Sequence, residues 1–297
     1  MKCPICKSLV KEESFLPGGI HCRICDLVFL KFTLKPKYGL QYFEQSTRPS
    51  LLAKVASPVL RYFYKERVAK IRNILKGQKK RLVLDYGCGS GKLVRELNNA
   101  GIKTFGFEPS VGARNLAAKE KLPIYGSLKS IKIKFDLVTF WHSLEHTKNP
   151  REVINNVKKL LKKNGKLLIA VPNADSFEAR IAKDKWFHYS KYFHPMYFSP
   201  VSLKYLLNKE QFNISEIDYL NLEYTVSGLL QTFLNLILPR DILYSVVSHR
   251  RFTLSRREAI YYSVVSILLS ILLSPLLIIS FIIQLVFKKT GAIIVIT

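Results

Sequence analysis

The sequence predicts an α/β protein built on a doubly wound sheet, with an N-terminal zinc ribbon and a membrane-inserted helical hairpin between the last two strands. Three observations support this: two cysteine pairs near the N-terminus, a strand, glycine turn and helix at residues 81–99, and an uncharged apolar stretch at 260–287. The predicted organisation is a ribbon at 1–33, a helical lid or linker at 34–80, the sheet domain at 81–221 plus 291–297, and a membrane-associated insertion at 222–290.

The composition indicates an ordered and strongly basic protein. Hydrophobic residues make up 48% of the 297 residues, and 47 Lys and Arg against 21 Asp and Glu give a net charge of +26. This charge suits a surface of phosphates, and the apolar stretch favours anionic lipid headgroups over nucleic acid. The start MKCPIC lacks a signal sequence, so we expect the cytoplasmic face of a membrane and reduced thiols. The sequence does not indicate an oligomeric state.

The first candidate site is a set of four cysteines arranged as two Cys-x2-Cys knuckles. Fifteen residues separate the knuckles, with Pro17-Gly18-Gly19 between them. Four thiolates on two tight turns can close a tetrahedral shell around structural zinc. Redox or incidental cysteines are the alternative, and a ribbon can also contact nucleic acid or a partner protein. The predicted ligands are Cys3, Cys6, Cys22 and Cys25.

The second candidate site begins at the buried-strand pattern RLVLD, which runs into the glycine turn of residues 85–91 and then a helical stretch at 92–99. Glycines at 87, 89 and 91 allow a sharp turn and a close approach of a ligand to the backbone. The amides at the start of the helix favour a carboxylate or phosphate.

Two acidic residues narrow the choice of ligand at this turn. Glu108 follows the next strand, 103–107, where a carboxylate can accept hydrogen bonds from the two hydroxyls of a ribose. Asp85, at the head of the turn, would repel a pyrophosphate and attract the ammonium of an amino acid. The pair therefore favours S-adenosylmethionine over NAD.

At these residues the chain resembles the class I S-adenosylmethionine-dependent methyltransferases, and within them the branch of ubiquinone-type O-methyltransferases and enzymes with an N-terminal zinc ribbon. The resemblance covers roughly residues 51–221 and the final strand, and implies a seven-stranded Rossmann-like methyltransferase sheet. The motifs that carry it are DYGCGSG at 85–91, FGFEPS at 105–110, FDLVTF at 135–140, Glu145-His146, Asn149-Pro150 and GKLLIAVP at 165–172.

The resemblance also implies the cofactor contacts. An acidic residue that binds adenine in the family is replaced here by Gly126-Ser127-Leu128, so we expect Ser127 and backbone amides to hold the adenine. The full predicted set is Asp85, Gly87, Cys88, Gly89, Gly91, Glu108, Pro109, Ser127, Leu128 and Trp141. Cys88 is most simply a small spacer in the turn.

The loop after the fourth strand, residues 141–146, should face the methyl group, because ligands of a doubly wound sheet lie at the carboxyl ends of its strands. Methyl transfer needs alignment and removal of a proton from the nucleophile, which a histidine can perform. We expect His146 as the base and His142 as the second candidate, with Glu145 orienting a histidine or ligating magnesium. The alternative is that this Glu-His pair only holds the loop or caps the next helix.

Aromatic segments supply candidates for the acceptor side. The loop 186–195 contains His188 and His194 among aromatic residues and could line an apolar acceptor pocket or simply pack against the sheet. Helices are predicted around 59–75 and at 200–207, and the aromatic stretch 38–43 is expected to flank the main domain.

The apolar stretch 260–287 lies between a strand predicted at 212–220 and a final strand at 291–297. Nineteen of its residues are Ile, Leu, Val or Phe, which contributes on the order of 8 kcal/mol to membrane insertion. Both strands must lie on one side of the membrane, and Pro275 divides the stretch into two pieces too short to cross. We therefore predict a re-entrant helix-break-helix hairpin.

Other arrangements of this region stay open. The shorter uncharged segment 224–238 is expected to be an interfacial helix, or it could pair with 260–287 as two crossings; a buried core helix is the remaining alternative. Cationic residues at both ends favour the cytoplasmic side: Arg250, Arg251, Arg256, Arg257, Lys288 and Lys289.

The expected function is methyl transfer from S-adenosylmethionine to a membrane-borne lipid-type acceptor, such as a quinone precursor or a lipid-linked sugar. The alternative is an RNA or protein methyltransferase tethered to the membrane. A non-enzymatic scaffold is a third possibility, which the intact Asp85, Glu108 and glycine turn argue against.

Overall fold

A seven-stranded sheet forms the centre of the molecule. The computed structural model describes residues 1–31, 51–77, 81–247 and 256–297; the predicted aromatic stretch 38–43, other parts of the predicted lid, and Arg250 and Arg251 lie outside the described residues. The elements are β1 Gly19–Cys22, β2 Leu27–Leu30, α1 Leu51–Ile74, β3 Leu82–Tyr86, α2 Lys92–Asn99, β4 Lys103–Phe107, α3 Val111–Lys119, β5 Ile124–Tyr125, β6 Phe135–Trp141, α4 Pro150–Lys158, β7 Leu161–Pro172, α5 Phe177–Ala182, β8 Met196–Tyr197, α6 Pro200–Lys209, β9 Glu216–Asp218, α7 Leu222–Ile237, α8 Ile242–Val247, α9 Arg256–Val286 and β10 Ala292–Ile296.

The strand order in the main sheet is β5-β4-β3-β6-β7-β10-β9. The strands β3 to β7 are parallel, and β10 runs antiparallel to both β7 and β9, with Ile294 opposite Asp218. The predicted adjacency of the last two strands is therefore confirmed. The five parallel strands place their carboxyl ends at one edge, where β3, β4 and β6 end beside one another.

Alternating side chains of the central strands fill two cores, one on each face of the sheet. Leu84, Val138 and Ile169 point to one face, whereas their neighbours in sequence point to the other face, where α1 and α2 pack. Helix α1 lies in the segment predicted as a lid or linker. In the structure this helix packs on the sheet and buries Ile71 there. The sheet is covered on both sides, as a doubly wound fold requires.

The strand predicted at 212–220 is shorter in the structure, where β9 spans only Glu216–Asp218. Phe212 does not extend the strand, because its amide donates a 2.9 Å hydrogen bond to the Leu207 carbonyl and closes the end of α6. Gln211 adopts a left-handed φ of 59° at this turn. The chain therefore needs these residues to reverse direction before it can pair with β10.

The helix α9 corrects the prediction of a break at Pro275. It continues through this residue from Arg256 to Val286. The predicted break of the helix within 260–287, and with it the helix-break-helix hairpin, is therefore wrong. Proline removes the amide that would bond to the Ile271 carbonyl, but the Ser274 hydroxyl donates a 2.8 Å hydrogen bond to that same carbonyl. Serine compensation of this kind lets apolar helices keep a proline.

The distribution of side chains on α9 is the reverse of that in a water-soluble helix. Ser263, Ser266 and Gln284 are buried, whereas Leu272 is 73% exposed and Ile271 is 66% exposed. The helix packs with its polar side against α7 and α8. Within the described residues, 260–286 is the one helix long and apolar enough to cross a membrane by length and composition.

Candidate functional site

The glycine turn joins β3 to α2 at the carboxyl edge of the sheet, as predicted. Gly87, Gly89 and Gly91 all have positive φ values, of 75°, 56° and 80°. At Gly91 a Cβ atom would lie 2.6 Å from the end of the Leu122 side chain, so a larger residue would have to displace that side chain in addition to adopting a strained positive φ. The turn therefore keeps its backbone close to the space in front of α2.

Asp85 lies at the end of β3 and is 3% exposed. Its Oδ1 accepts a 2.8 Å hydrogen bond from the Thr139 hydroxyl on the neighbouring strand β6. Burial raises the pKa of the Asp85 carboxyl to about 6, although the Thr139 hydrogen bond opposes this shift. A carboxylate in this environment gains strongly from a cationic partner, which fits the predicted ammonium group.

Glu108 directly follows β4, and one of its carboxylate oxygens reaches the glycine turn. Oε2 accepts a 2.9 Å hydrogen bond from the Gly89 amide, and Oε1 accepts a 2.8 Å bond from the Ser110 amide. Burial raises the pKa of this carboxyl, and the two amides oppose the rise. Each oxygen can accept a second bond, so the predicted ribose contact fits the geometry.

The other predicted cofactor residues occupy the same edge with less definite roles. Cys88 packs its sulfur against Gly106, and burial raises the pKa of its thiol, which agrees with a spacer. Ser127 begins the 3-10 turn Leu128–Ser130 and accepts the Lys129 amide through its hydroxyl, while the Pro109 carbonyl accepts a hydrogen bond from Arg114. These contacts leave the adenine and ribose assignments as predictions.

The loop after β6 brings together the predicted catalytic residues. His142 has a φ of 51°, and its Nδ1 lies 3.4 Å from Glu145 Oε1. Burial is the main cause that raises the pKa of Glu145 to about 7 and lowers the pKa of His142 well below its ordinary value. A neutral, poorly basic His142 is poorly suited to accept a proton.

His146 has one ring nitrogen fixed and one available. Its Nδ1 lies 2.7 Å from the Phe193 carbonyl, which can only accept, so Nδ1 carries the proton and Nε2 carries the lone pair. His194 is held in the same way by the His188 carbonyl, at 2.6 Å. This tautomer is the one that a general base requires.

Glu145, His146 and His194 also form a cluster in which one donor atom from each lies within 4.8 Å of the others. Two imidazoles and one carboxylate are a donor set that transition metals prefer and magnesium does not. The donor set thus argues against the magnesium role of Glu145, and the 3.4 Å contact with His142 supports the orienting role.

Three residues at the site were missed by the sequence reasoning: Arg67 of α1, and Glu223 and Tyr224 of α7. Arg67 donates two hydrogen bonds to Glu223, at 2.8 and 2.6 Å, and one of 2.9 Å to the Tyr224 hydroxyl. The Arg67 guanidinium lies 5.0 Å from the centre of the Trp141 ring. No local sequence pattern marks these residues, although Glu223 is the acidic residue in the first turn of an otherwise uncharged helix.

The ring of Tyr224 stacks on His142 with 3.4 Å between the ring centres. Among the described residues, several buried polar atoms around this stack lack a hydrogen-bond partner. Such atoms are costly unless a ligand or water pairs with them. They come from the β6 loop, from the aromatic loop and from the first turns of α7: Trp141 Nε1, His142 Nε2, both Glu145 oxygens, His188 Nε2, Asn221 Nδ2 and Thr225 Oγ1.

The four ribbon cysteines meet as the spacing predicts. Cys3 and Cys25 have their sulfurs 3.4 Å apart, as do Cys6 and Cys22, and the four sulfurs lie within 4.8 Å of one another. A tetrahedral zinc shell needs sulfurs about 3.8 Å apart, so this group fits the ion. The hydrogen bond between Cys3 and Cys25 lowers the pKa of the Cys3 thiol and raises that of the Cys25 thiol, so the two sulfurs share a proton when no metal holds them.

Comparison with known proteins assigns the family. The family model described as a methyltransferase domain matches residues 59–217, which is more than half of the chain. Together with the sheet order and the glycine turn, this match shows that the chain belongs to the class I S-adenosylmethionine-dependent methyltransferases. The resemblance inferred from the sequence motifs is confirmed.

Similar curated proteins cover only part of the chain. A ubiquinone biosynthesis O-methyltransferase of Coxiella burnetii is 34% identical over 101 residues, which span 31% of this chain and 43% of that protein. An uncharacterised protein of Methanocaldococcus jannaschii is 29% identical over 145 residues, covering 47% and 58%. The chain thus spans less than half the length of the first of these relatives.

Among solved structures, the magnesium protoporphyrin IX methyltransferase of Synechocystis with bound S-adenosylhomocysteine has a TM-score of 0.46 and 17% identity. The match covers 60% of this chain and 84% of that one.

Proposed function

We propose that this protein transfers a methyl group from S-adenosylmethionine to a lipid-type acceptor in a membrane, such as a quinone precursor or a lipid-linked sugar. The single observation that carries the proposal is the exposed apolar face of α9, a helix that packs on α7, whose first turn contacts His142 of the predicted site. In water this face would be a large unpaired apolar patch. In a bilayer the same side chains are favourably placed.

The insertion connects this face to the site. The helix α9 packs on α7, and the first turn of α7 supplies Glu223 and Tyr224, which contact Arg67 and His142. An acceptor that remains in the bilayer could therefore reach the site without crossing the catalytic domain. The unpaired polar atoms around Tyr224 would bind its headgroup.

The cations at the ends of α9 support an attachment to the cytoplasmic leaflet. Arg256 and Arg257 begin the helix, and Lys288 and Lys289 follow it. Anionic headgroups attract such residues with about 1 kcal/mol each near the surface. The similarity to an O-methyltransferase of ubiquinone biosynthesis further supports a lipid-type acceptor with a reactive hydroxyl.

The proposed chemistry is an in-line displacement at the methyl carbon. Asp85 would hold the ammonium of the methyl donor and Glu108 its ribose, while His146 Nε2 accepts the proton of the acceptor hydroxyl. The methyl group passes from the sulfonium to the acceptor oxygen, and S-adenosylhomocysteine leaves. Alignment of donor and acceptor is the main contribution expected from the fold.

In the test, the protein is incubated with methyl-labelled S-adenosylmethionine and membranes of the parent cell, and the fraction that receives the label is determined. Label in the chloroform-extractable fraction supports the proposal, and label confined to RNA or protein would overturn it. The +26 charge is the observation that favours the RNA alternative. An Asp85→Asn variant is the control for label that does not arise from this site.

Membrane attachment is tested separately with matched triple variants. Leu268→Gln, Leu272→Gln and Ile279→Gln replace side chains on the exposed face of α9 and should release the protein from sedimented membranes. The control has Val111→Gln, Ile181→Gln and Val201→Gln, which are similarly exposed residues outside the insertion, and should sediment as the native protein does. Equal sedimentation of both variants would contradict the proposed attachment.

A further inference from the structure

The ribbon shares a small sheet with the aromatic loop of the catalytic domain. Its strand β2 pairs antiparallel with β8, with Val28 opposite Tyr197 and Phe29 opposite Met196. The Leu30 amide adds a 3.0 Å hydrogen bond to the Pro195 carbonyl. The strand order β1-β2-β8 therefore joins the cysteine knuckles to a segment more than 160 residues away.

Side chains reinforce this junction on both sides of the small sheet. The Ser199 hydroxyl donates a 2.5 Å hydrogen bond to Asp26, and the other oxygen of Asp26 lies 2.7 Å from His21 Nε2. At the opposite end, the Tyr189 hydroxyl donates a 2.9 Å hydrogen bond to the Pro17 carbonyl. The ribbon thus holds the aromatic loop near both of its ends.

Tyr197 of β8 links the small sheet to Ser190 in the aromatic loop. It is 1% exposed, and its hydroxyl accepts a 2.9 Å hydrogen bond from the Ser190 amide and donates one of 3.1 Å to the Ser190 carbonyl. Its ring stacks with Tyr189. The loop is consequently fixed by the residue that pairs with β2.

The other side of the same loop holds the histidines of the site. The Phe193 carbonyl fixes the tautomer of His146, and the His188 carbonyl fixes that of His194. His188 also stacks with His142, with 6.1 Å between ring centres. One continuous segment, residues 186–199, therefore contacts the ribbon and orients the predicted base. The glycine turn is held separately, because the Gly87 and Cys88 amides donate to the Phe107 carbonyl of β4 and the Gly89 amide donates to Glu108.

We propose that the ribbon is a positioning element for the acceptor side of the site. By closing the two knuckles around zinc, the four cysteines hold β1 and β2, and these hold the aromatic loop that orients His146. Loss of the metal would loosen the acceptor side and leave the cofactor turn in place. The activity readout below rests on the proposed function, whereas the exchange and binding readouts do not.

The experiment compares the zinc-loaded full chain with chain stripped by a chelator, both in detergent micelles. Hydrogen exchange of residues 186–199 should become at least tenfold faster after stripping, while affinity for S-adenosylhomocysteine changes less than twofold. Zinc should restore the slow exchange. Unchanged exchange in this segment would overturn the proposal, and so would an equal loss of cofactor affinity, since that would mean general unfolding.

Two milder variants keep the test decisive if the stripped chain unfolds. Tyr189→Phe removes one junction hydrogen bond and should speed exchange of residues 186–199 with zinc still bound. Ser199→Ala removes the junction bond to Asp26 and also the N-cap bond that Ser199 accepts from the Ser202 amide at the start of α6, so its expected effect is faster exchange in residues 186–195, away from that cap. The matched control is Glu12→Gln, which removes an exposed ribbon ion pair to Arg23 and should leave the loop unchanged. Equal effects of control and junction variants would overturn the proposal.

Transfer of label into lipid gives the functional readout. In the junction variants, the apparent KM for the parent-cell membranes should rise or kcat should fall several-fold, with the KM for S-adenosylmethionine unchanged. If no variant and no native protein labels lipid, the proposed function fails, but the exchange result still decides the role of the ribbon. A rise in the S-adenosylmethionine KM instead would contradict positioning of the acceptor side.

Discussion

Arg67 and Glu223 form a bidentate ion pair that joins α1 to the first turn of the apolar insertion, across 156 residues of sequence. Their side chains are 9% and 17% exposed. A pair so shielded from water is destabilising when one partner is removed, because a buried charge is left alone. The pair therefore couples the packing of α1 on the sheet to the position of the insertion.

The first prediction concerns this pair. Arg67→Ala should lower the free energy of unfolding by about 3 kcal/mol. The double variant with Glu223→Gln should recover part of that loss, since it no longer leaves a carboxylate unpaired. Chemical denaturation of the two single variants and the double variant measures the coupling. If the losses of unfolding free energy in the two single variants add up to the loss in the double variant, the two residues do not interact in solution.

The second prediction is that cofactor affinity falls in acid. The pKa of Asp85 is raised to about 6, so this carboxyl becomes protonated below that pH and loses its attraction for an ammonium group. Affinity for S-adenosylhomocysteine should decrease up to about tenfold per pH unit below 6. Titration calorimetry from pH 5 to 8 measures it. The Asp85→Asn variant should bind weakly and without this slope; a retained slope would assign the titration to another group.

The third prediction separates His146 from His142. His146→Ala should reduce methyl transfer by about 10²–10⁴-fold, because Nε2 is the proton acceptor, while affinity for S-adenosylhomocysteine stays close to native. His142→Gln should have a smaller effect on transfer. Rates with methyl-labelled donor and calorimetry give the two quantities. A larger loss in His142→Gln would reverse the assignment of the base.

The fourth prediction uses Glu178, a fully buried carboxyl whose Oε1 accepts a 3.2 Å hydrogen bond from Trp186. Burial raises its pKa from 4.5 to about 8. A raised folded-state pKa contributes stability that is complete below 4.5 and is lost as the pH rises through 8. From pH 7 to 9 the native protein should lose about 1 kcal/mol that Glu178→Gln does not lose. Thermal unfolding at the two pH values measures this change. An equal loss of stability in the native protein and in Glu178→Gln would contradict the prediction.

Local signals made the cofactor side predictable. The bounds of the helix 92–99 and of the strand 103–107 agree with the structure, because glycines with positive φ end β3 and a clear change of hydrophobic period follows. The roles of Asp85 and Glu108 follow from their position at strand ends. Such features depend on neighbours in sequence, so one chain suffices to reveal them.

Long-range contacts were not predictable in this way. The strand β8 has only two residues, so no periodic pattern could indicate its pairing with β2. Arg67 resembles the other basic residues of its helix, and its role appears only when Glu223 is brought beside it. Pro275 misled the prediction because its effect depends on whether the Ser274 hydroxyl reaches the carbonyl that the proline leaves free.

The position of β10 has a consequence for synthesis. This strand lies between β7 and β9 but follows α9 in the chain, so β9 emerges from the ribosome before β10, its neighbour in the described part of the sheet. The apolar helix is made while the sheet is still unfinished, and chains fold as their segments emerge. Under the proposed membrane attachment, the strand that completes the sheet is made only after the apolar helix, so membrane docking of α9 and closure of the sheet by β10 fall in the same last stage of synthesis.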